Sequence, residues 1–142
     1  MLKRCSTLAY SLMRIVAGAL FACHGAQKLF GALGGTIEVH DPEGFTAGLV
    51  ELLGGSLISL GIFTSLAAFV ASGEMAVAYF KAHAPRGLWP ILNRGELAAL
   101  YCFVFLFIAC QGDGRWSVSE LWKARCSPRK PKGKLDTTEK SK

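Results

Sequence analysis

The chain has 142 residues, 51% of them hydrophobic, and a formal net charge of +6 at pH 7. This length fits one domain, but the polar residues are gathered into one loop and one C-terminal segment, a distribution that a soluble domain of this size does not show. Nine of the sixteen basic residues lie between Arg115 and the C terminus. Basic residues just after an apolar stretch fix topology or contact anionic lipid, so nucleic-acid binding is not expected.

Four apolar stretches, each near the length that crosses a bilayer as a helix, follow one another along the chain. They are residues 8–30, 45–63, 64–82 and 95–111. A tight turn separates the second from the third, and Thr64 or Ser65 is placed to cap the third helix. The predicted fold class is all-α, an integral membrane four-helix bundle formed by residues 1–117.

The basic residues that flank the spans predict that both termini are cytoplasmic. Lys3 and Arg4 precede the first span, and residues 118–142 form a basic tail after the fourth. The prolines, glycine and alternating charges of this tail predict disorder. The N-terminal residues also resemble a secretory signal, but Arg14 interrupts the apolar run and favours an uncleaved first helix.

Charged side chains inside a bilayer are costly unless they pair or meet water, so those within the spans are candidates for function. Helical spacing places Arg14, Gly18, Gly25 and Lys28 on one stripe of the first helix. Small residues around Glu51 let a neighbouring backbone come close. Depths along the helices predict a polar pocket open toward the outer face, with Arg14 further inward. The candidate pocket residues are Arg14, His24, Lys28, Glu51, Glu74, Asn93 and Glu96.

Two interpretations of this pocket stay open. The charged residues can be counter-ions that hold the helices in register, with Lys28 paired to Glu96 or Glu51. Alternatively, His24 and one or two carboxylates take and release protons beside a bound redox ligand. The cysteines form no C-x-x-C pair, so neither a disulfide framework nor a metal site is expected.

The aromatic residues suggest contact with the membrane and not a cofactor site. Phenylalanines alternate on the fourth apolar stretch and are predicted to face lipid, whereas the tryptophans are predicted to be interfacial anchors. The phenylalanines are Phe103, Phe105 and Phe107, and the tryptophans are Trp89, Trp116 and Trp122.

The sequences at residues 14–18 (RIVAG) and 24–31 (HGAQKLFG) resemble the opening of DoxX proteins. Further motifs in the same order and spacing lie at residues 49–55, 60–64, 74–80 and 90–96. The resemblance implies a four-helix protein of the bacterial inner membrane, in a family named for quinol and thiosulfate oxidation, with relatives beside superoxide- and thiol-handling enzymes. The chain departs from the family pattern at Ser65, Arg94 and residues 117–119.

Three functions follow as hypotheses, and whether the chain is an enzyme stays open. The first is a membrane subunit of a quinone- or thiol-linked redox complex, with a soluble or membrane oxidoreductase as partner and a quinone as the possible cofactor. The second is a non-catalytic membrane scaffold or assembly factor. The third, a small transporter or proton path, is disfavoured because the helices lack the interruptions typical of secondary transporters. Beyond these, the lipid bilayer, and anionic lipid at the basic tail, are the expected partners.

Overall fold

The computed structural model describes residues 2–37 and 41–126, and the regular elements within these ranges are all helices. The all-α prediction is therefore confirmed. The helices are α1 (Leu2–Phe30), α2 (residues 42–60), α3 (residues 64–83), α4 (Pro90–Asn93), α5 (Glu96–Gln111) and α6 (Val118–Cys126). The four apolar stretches of the sequence lie largely within α1, α2, α3 and α5.

Within the described part of the chain, α1 is the helix that is long and apolar enough to cross a membrane by length and composition, over Arg4–Phe30. α5 is also apolar but shorter, with 16 residues. α2 and α3 each contain a π-helical stretch, Val50–Gly54 in α2 and Tyr79–His83 at the end of α3. Such a stretch adds a residue to one helical turn and shifts the direction of the side chains beside it.

α1 packs against α2 with its backbone in direct contact, because glycines face each other where the helices cross. A Cβ atom on Gly25 would lie 2.3 Å from Leu52 N, and one on Gly55 would lie 2.4 Å from Ala22 N. Neither position has room for a side chain. Gly18 and Gly25 therefore lie on the face of α1 that meets α2.

α3 and α5 form the other half of the bundle, joined to α1 by a buried aromatic cluster. The ring of Phe105 lies 4.7 Å from that of Phe21 and 5.2 Å from that of Tyr101. Phe105 is fully buried, whereas Phe103 and Phe107 are 70% and 50% exposed. The prediction that all three phenylalanines face lipid is therefore wrong for Phe105, since alternate residues of a helix point in different directions and one of the three meets the core.

The α2–α3 turn differs from the predicted one in how the helix is capped. The backbone N–H of Thr64 donates to Asp113 Oδ1 at 3.2 Å. The N-cap residue is Phe63, which makes no side-chain cap hydrogen bond, and Thr64 Oγ1 has no hydrogen-bond partner among the described residues. The prediction that Thr64 or Ser65 caps α3 is therefore wrong. The cap comes instead from the loop after α5, which ties the α2–α3 turn to the other half of the bundle.

The tail predicted to be disordered begins with the helix α6, so that prediction is wrong for residues 118–126. The hydroxyl of Ser117 accepts from the N–H of Glu120 at 3.1 Å and caps this helix. Ser119 Oγ donates to the carbonyl of Gly61 at 2.8 Å and holds α6 against the α2–α3 turn. The rest of the tail, residues 127–142, lies outside the described residues.

Candidate functional site

A charged cleft lies at the end of the bundle where α1 ends, α2 begins and α3 ends. Its volume is about 450 Å³. Its walls combine apolar residues with five ionisable side chains. The ionisable residues are Lys28, Asp41, Glu43, Glu74 and Lys81. The first turns of α1 and the helix α6 lie at the other end of the bundle.

The innermost charged contact beside the cleft joins α1 to α2. Lys28 Nζ donates to Glu51 Oε1 at 2.8 Å, and the two side chains are 28% and 4% exposed. Of the two partners predicted for Lys28, Glu51 is therefore the one present. Glu51 lies on the π-helical stretch of α2, which turns its carboxylate toward α1. Stretches of this kind are frequent at functional sites.

Glu74 of α3 completes this group and faces the cleft directly. It is partly buried, and its Oε2 atom is buried with no hydrogen-bond partner among the described residues. The charges of Glu51 and Lys28 both act on it. The carboxylates of Glu51 and Glu74 and the ammonium group of Lys28 together carry an excess of negative charge when ionised, which a proton or a hydrogen-bond donor of a ligand can balance.

A second ion pair bridges the mouth of the cleft. Lys81 Nζ lies 2.6 Å from Glu43 Oε1, with the side chains 57% and 71% exposed. The pair connects the start of α2 to the end of α3. Asp41 caps α2 by accepting from Gly44 N at 3.0 Å, which fixes the backbone that carries Glu43. Neither Glu43 nor Asp41 was a predicted pocket residue, because both precede the second apolar stretch in the sequence.

Besides Glu51, which lies beside the cleft, and Arg14, three predicted pocket residues do not line the cleft. His24 Nδ1 lies 3.2 Å from Gln27 Oε1 on its own helix, and Glu96 is exposed in the first turn of α5. Asn93 is 1% exposed and organises the loop before α5. Its Nδ2 donates to Gly87 O at 2.6 Å, and its Oδ1 accepts from Gly95 N at 2.8 Å. Asn93 therefore positions backbone.

Arg14, the remaining predicted pocket residue, lies at the opposite end of α1 and is fully buried. Its guanidinium donates to the carbonyls of Ile58 and Ser59 at the end of α2, and Nη2 donates to Trp116 O at 3.0 Å. The last carbonyls of a helix lack partners within it and carry partial negative charge. Arg14 therefore neutralises the end of α2 and holds the loop that precedes α6.

The structure thus defines a small all-α protein of closely packed apolar helices with a charged cleft at one end. Residues 9–84, which include most of α1, all of α2 and α3, and the cleft, match the DoxX family model. The chain is also 42% identical over 111 residues to an uncharacterized protein of Haemophilus influenzae, an alignment that covers 73% of this chain and 83% of the relative. The chain belongs to the DoxX family, as its motifs predicted. No solved structure matches it significantly.

Proposed function

We propose that the chain is a multi-pass protein of the bacterial inner membrane, with α1, α2, α3 and α5 crossing the bilayer. This proposal is supported by the outer surface of the bundle, where several helices carry large apolar side chains that are exposed. Leu66 and Phe69 of α3 are 66% and 65% exposed, and Leu100 and Phe103 of α5 are 63% and 70% exposed. A soluble protein rarely exposes a continuous surface of this kind.

The lengths of the helices fit this arrangement. At 1.5 Å per residue, α1 is about 43 Å long, and α2 and α3 are each about 30 Å long, near the thickness of a hydrocarbon core. α5 is shorter, about 24 Å, and the short helix α4 precedes it with exposed Ile91 and Leu92. Both described ends of the chain then lie on one side of the membrane, and the cleft opens on the other.

In a protein that crosses the membrane in this way, the cleft is proposed as the binding site for a quinone. The chain would then be a membrane subunit of a redox complex. The observation that carries the proposal is the buried Oε2 atom of Glu74, which has no hydrogen-bond partner in the part of the chain that the structure describes and lies at the cleft beside Lys28. The apolar wall at Val50, Val77 and Ala78 suits a ring, and the charged group suits its oxygen atoms. These residues therefore fit a quinone head group.

A bound quinone would supply two-electron, two-proton chemistry, with the electrons delivered by a partner oxidoreductase. The role of this chain is then to bind the head group and to hold a proton. Protonated Glu74 can donate a hydrogen bond from its carboxyl group, and Lys28 can donate a second hydrogen bond without leaving Glu51, since an ammonium group has three donor hydrogens. The Lys81–Glu43 pair lies at the mouth, where it limits entry.

Equilibrium binding of a short-chain ubiquinone analogue to the full-length protein in lipid nanodiscs tests this proposal. Glu74→Leu keeps most of the volume of the side chain but removes its hydrogen-bond donor and its proton. We expect binding at least about tenfold weaker than that of the wild type. Glu96→Leu, which changes an exposed carboxylate outside the cleft, is the matched control. Equal binding by all three proteins would remove the cleft as the quinone site.

A second function, that of a non-catalytic scaffold for other membrane proteins, is favoured by one observation. α6 exposes Leu121 and Trp122 at 67% and 71%, so this helix presents an apolar surface that a partner can cover. A strain without the gene should then contain less of the partner in its membranes. Unchanged amounts of every membrane redox protein in that strain would argue strongly against the scaffold.

A further inference from the structure

A small pocket lies at the end of the bundle opposite to the cleft, between the first turns of α1 and the loop that follows α5. Its volume is about 180 Å³. The lining residues are Arg4, Thr7, Leu8, Ser11, Arg115 and Trp116. None of them was predicted to line a binding pocket, because Arg4 and Arg115 are 111 positions apart in the sequence and only the folded bundle brings them together.

The floor of this pocket is held in place by two buried side chains of α1. Ser11, which is 1% exposed, donates from Oγ to the carbonyl of Arg115 at 2.9 Å. Arg14, which is fully buried, donates from Nη2 to the carbonyl of Trp116 at 3.0 Å. The backbone that carries Arg115 is thus fixed against α1 before any ligand arrives, and a site that is organised in advance binds at a lower entropic cost.

The two arginines that line the pocket give it a positive charge. Both ion pairs of the described residues, Lys28–Glu51 and Lys81–Glu43, lie at the cleft end. Arg4 and Arg115 are exposed and have no carboxylate partner within the described part of the chain. The buried guanidinium of Arg14 lies beneath the loop near the carboxylate of Asp113, so Arg4 and Arg115 carry the positive charge that a ligand can meet. An anionic ligand is therefore attracted to this end of the molecule.

We propose that this pocket binds the phosphate group of an anionic phospholipid headgroup. Two arginines that approach from different elements can each offer paired N–H donors to phosphate oxygens. Leu8 and Trp116 are 44% and 60% exposed at the rim, where they can contact the glycerol and the upper acyl chain. This site differs from the quinone cleft in position and ligand, and also from the basic tail, because described residues of the bundle form it.

Native mass spectrometry of the full-length protein tests the proposal. The protein is titrated in detergent with phosphatidylglycerol or with phosphatidylcholine, and the bound lipids are counted. The wild type should retain phosphatidylglycerol in preference. Each basic residue near a membrane surface contributes about fivefold in affinity, so Arg4→Gln with Arg115→Gln should weaken phosphatidylglycerol binding by about 25-fold. Arg86→Gln with Arg94→Gln removes the same charge from exposed positions at the cleft end and should change it little.

A titration with inorganic phosphate, compared with chloride at equal ionic strength, distinguishes a lipid headgroup from a soluble phosphate compound as the ligand. If the lipid is the ligand, millimolar phosphate does not displace bound phosphatidylglycerol. Displacement at that concentration, together with no lipid preference, would assign the pocket to a soluble phosphate compound and overturn the headgroup proposal. Equal losses in the two double variants would also overturn it, since attraction would then depend on net charge alone. Circular dichroism of each variant establishes that a loss of binding is not a loss of folding.

Discussion

Replacing Lys28 with methionine tests whether the ion pair beside the cleft is a buried structural contact. Methionine keeps most of the length of the side chain and removes its charge, so the carboxylate of Glu51, which is 4% exposed, loses its ammonium partner at 2.8 Å. Removing one member of a buried ion pair costs about 3–5 kcal/mol. Because Lys28 is 28% exposed and water can reach part of the gap, we expect the lower end, about 3 kcal/mol.

The matched control is Lys81→Met, which breaks the other ion pair. Its side chains are 57% and 71% exposed, so the loss should be at most about 1 kcal/mol. Thermal unfolding of both variants in one detergent, followed by circular dichroism, gives the comparison. A loss of 3 kcal/mol corresponds to a midpoint lowered by roughly 10 °C for a chain of this size. Equal midpoints for the two variants would refute the conclusion that Lys28 compensates a buried carboxylate.

Two further substitutions test the packing of the helices. Gly55→Ala would place a Cβ atom 2.4 Å from the backbone of Ala22, whereas the Cβ atom of Gly54→Ala would meet nothing closer than 4.0 Å. The free energy of unfolding should therefore fall by about 1–3 kcal/mol in Gly55→Ala and should not fall in Gly54→Ala. Asp113→Ala removes the cap of α3 and should cost about 1 kcal/mol. Ser65→Ala, at an exposed position without a cap bond, should change it by less than about 0.5 kcal/mol. Chemical denaturation measures both pairs, and a reversed order in either pair would contradict the contacts described.

The sequence predicted the features that depend on spacing along one helix. Arg14, Gly18, Gly25 and Lys28 share a face because of the helical repeat, and in the structure all four contact α2. Lys28 was also expected to pair with a carboxylate, because an unpaired charge inside a bilayer is costly, and Glu51 was one of the two partners predicted for it. Periodicity and charge compensation were therefore sufficient for this half of the bundle.

Features that depend on contacts between distant segments could not be predicted in the same way. Asp113 caps α3 at Thr64, 49 positions earlier in the chain. No pattern in the sequence near Thr64 predicts such a hydrogen bond. The π-helical stretch that carries Glu51 also has no sequence signature. One signal was present, however: Ser117 followed by Glu120 is the sequence of a capping box and predicts the start of α6.

The measurement that tests the central claim most directly is thiol labelling of single-cysteine variants with a membrane-impermeant maleimide in intact cells. Cys5 and Cys126 are native and exposed at the end opposite to the cleft. Thr36→Cys and Arg86→Cys place a thiol in the loops at the cleft end, both at exposed positions. A four-span bundle predicts labelling at 36 and 86 in intact cells, and labelling at 5 and 126 only after lysis. Labelling at 36 and 86 on opposite sides of the membrane, or at all four positions in intact cells, would contradict it.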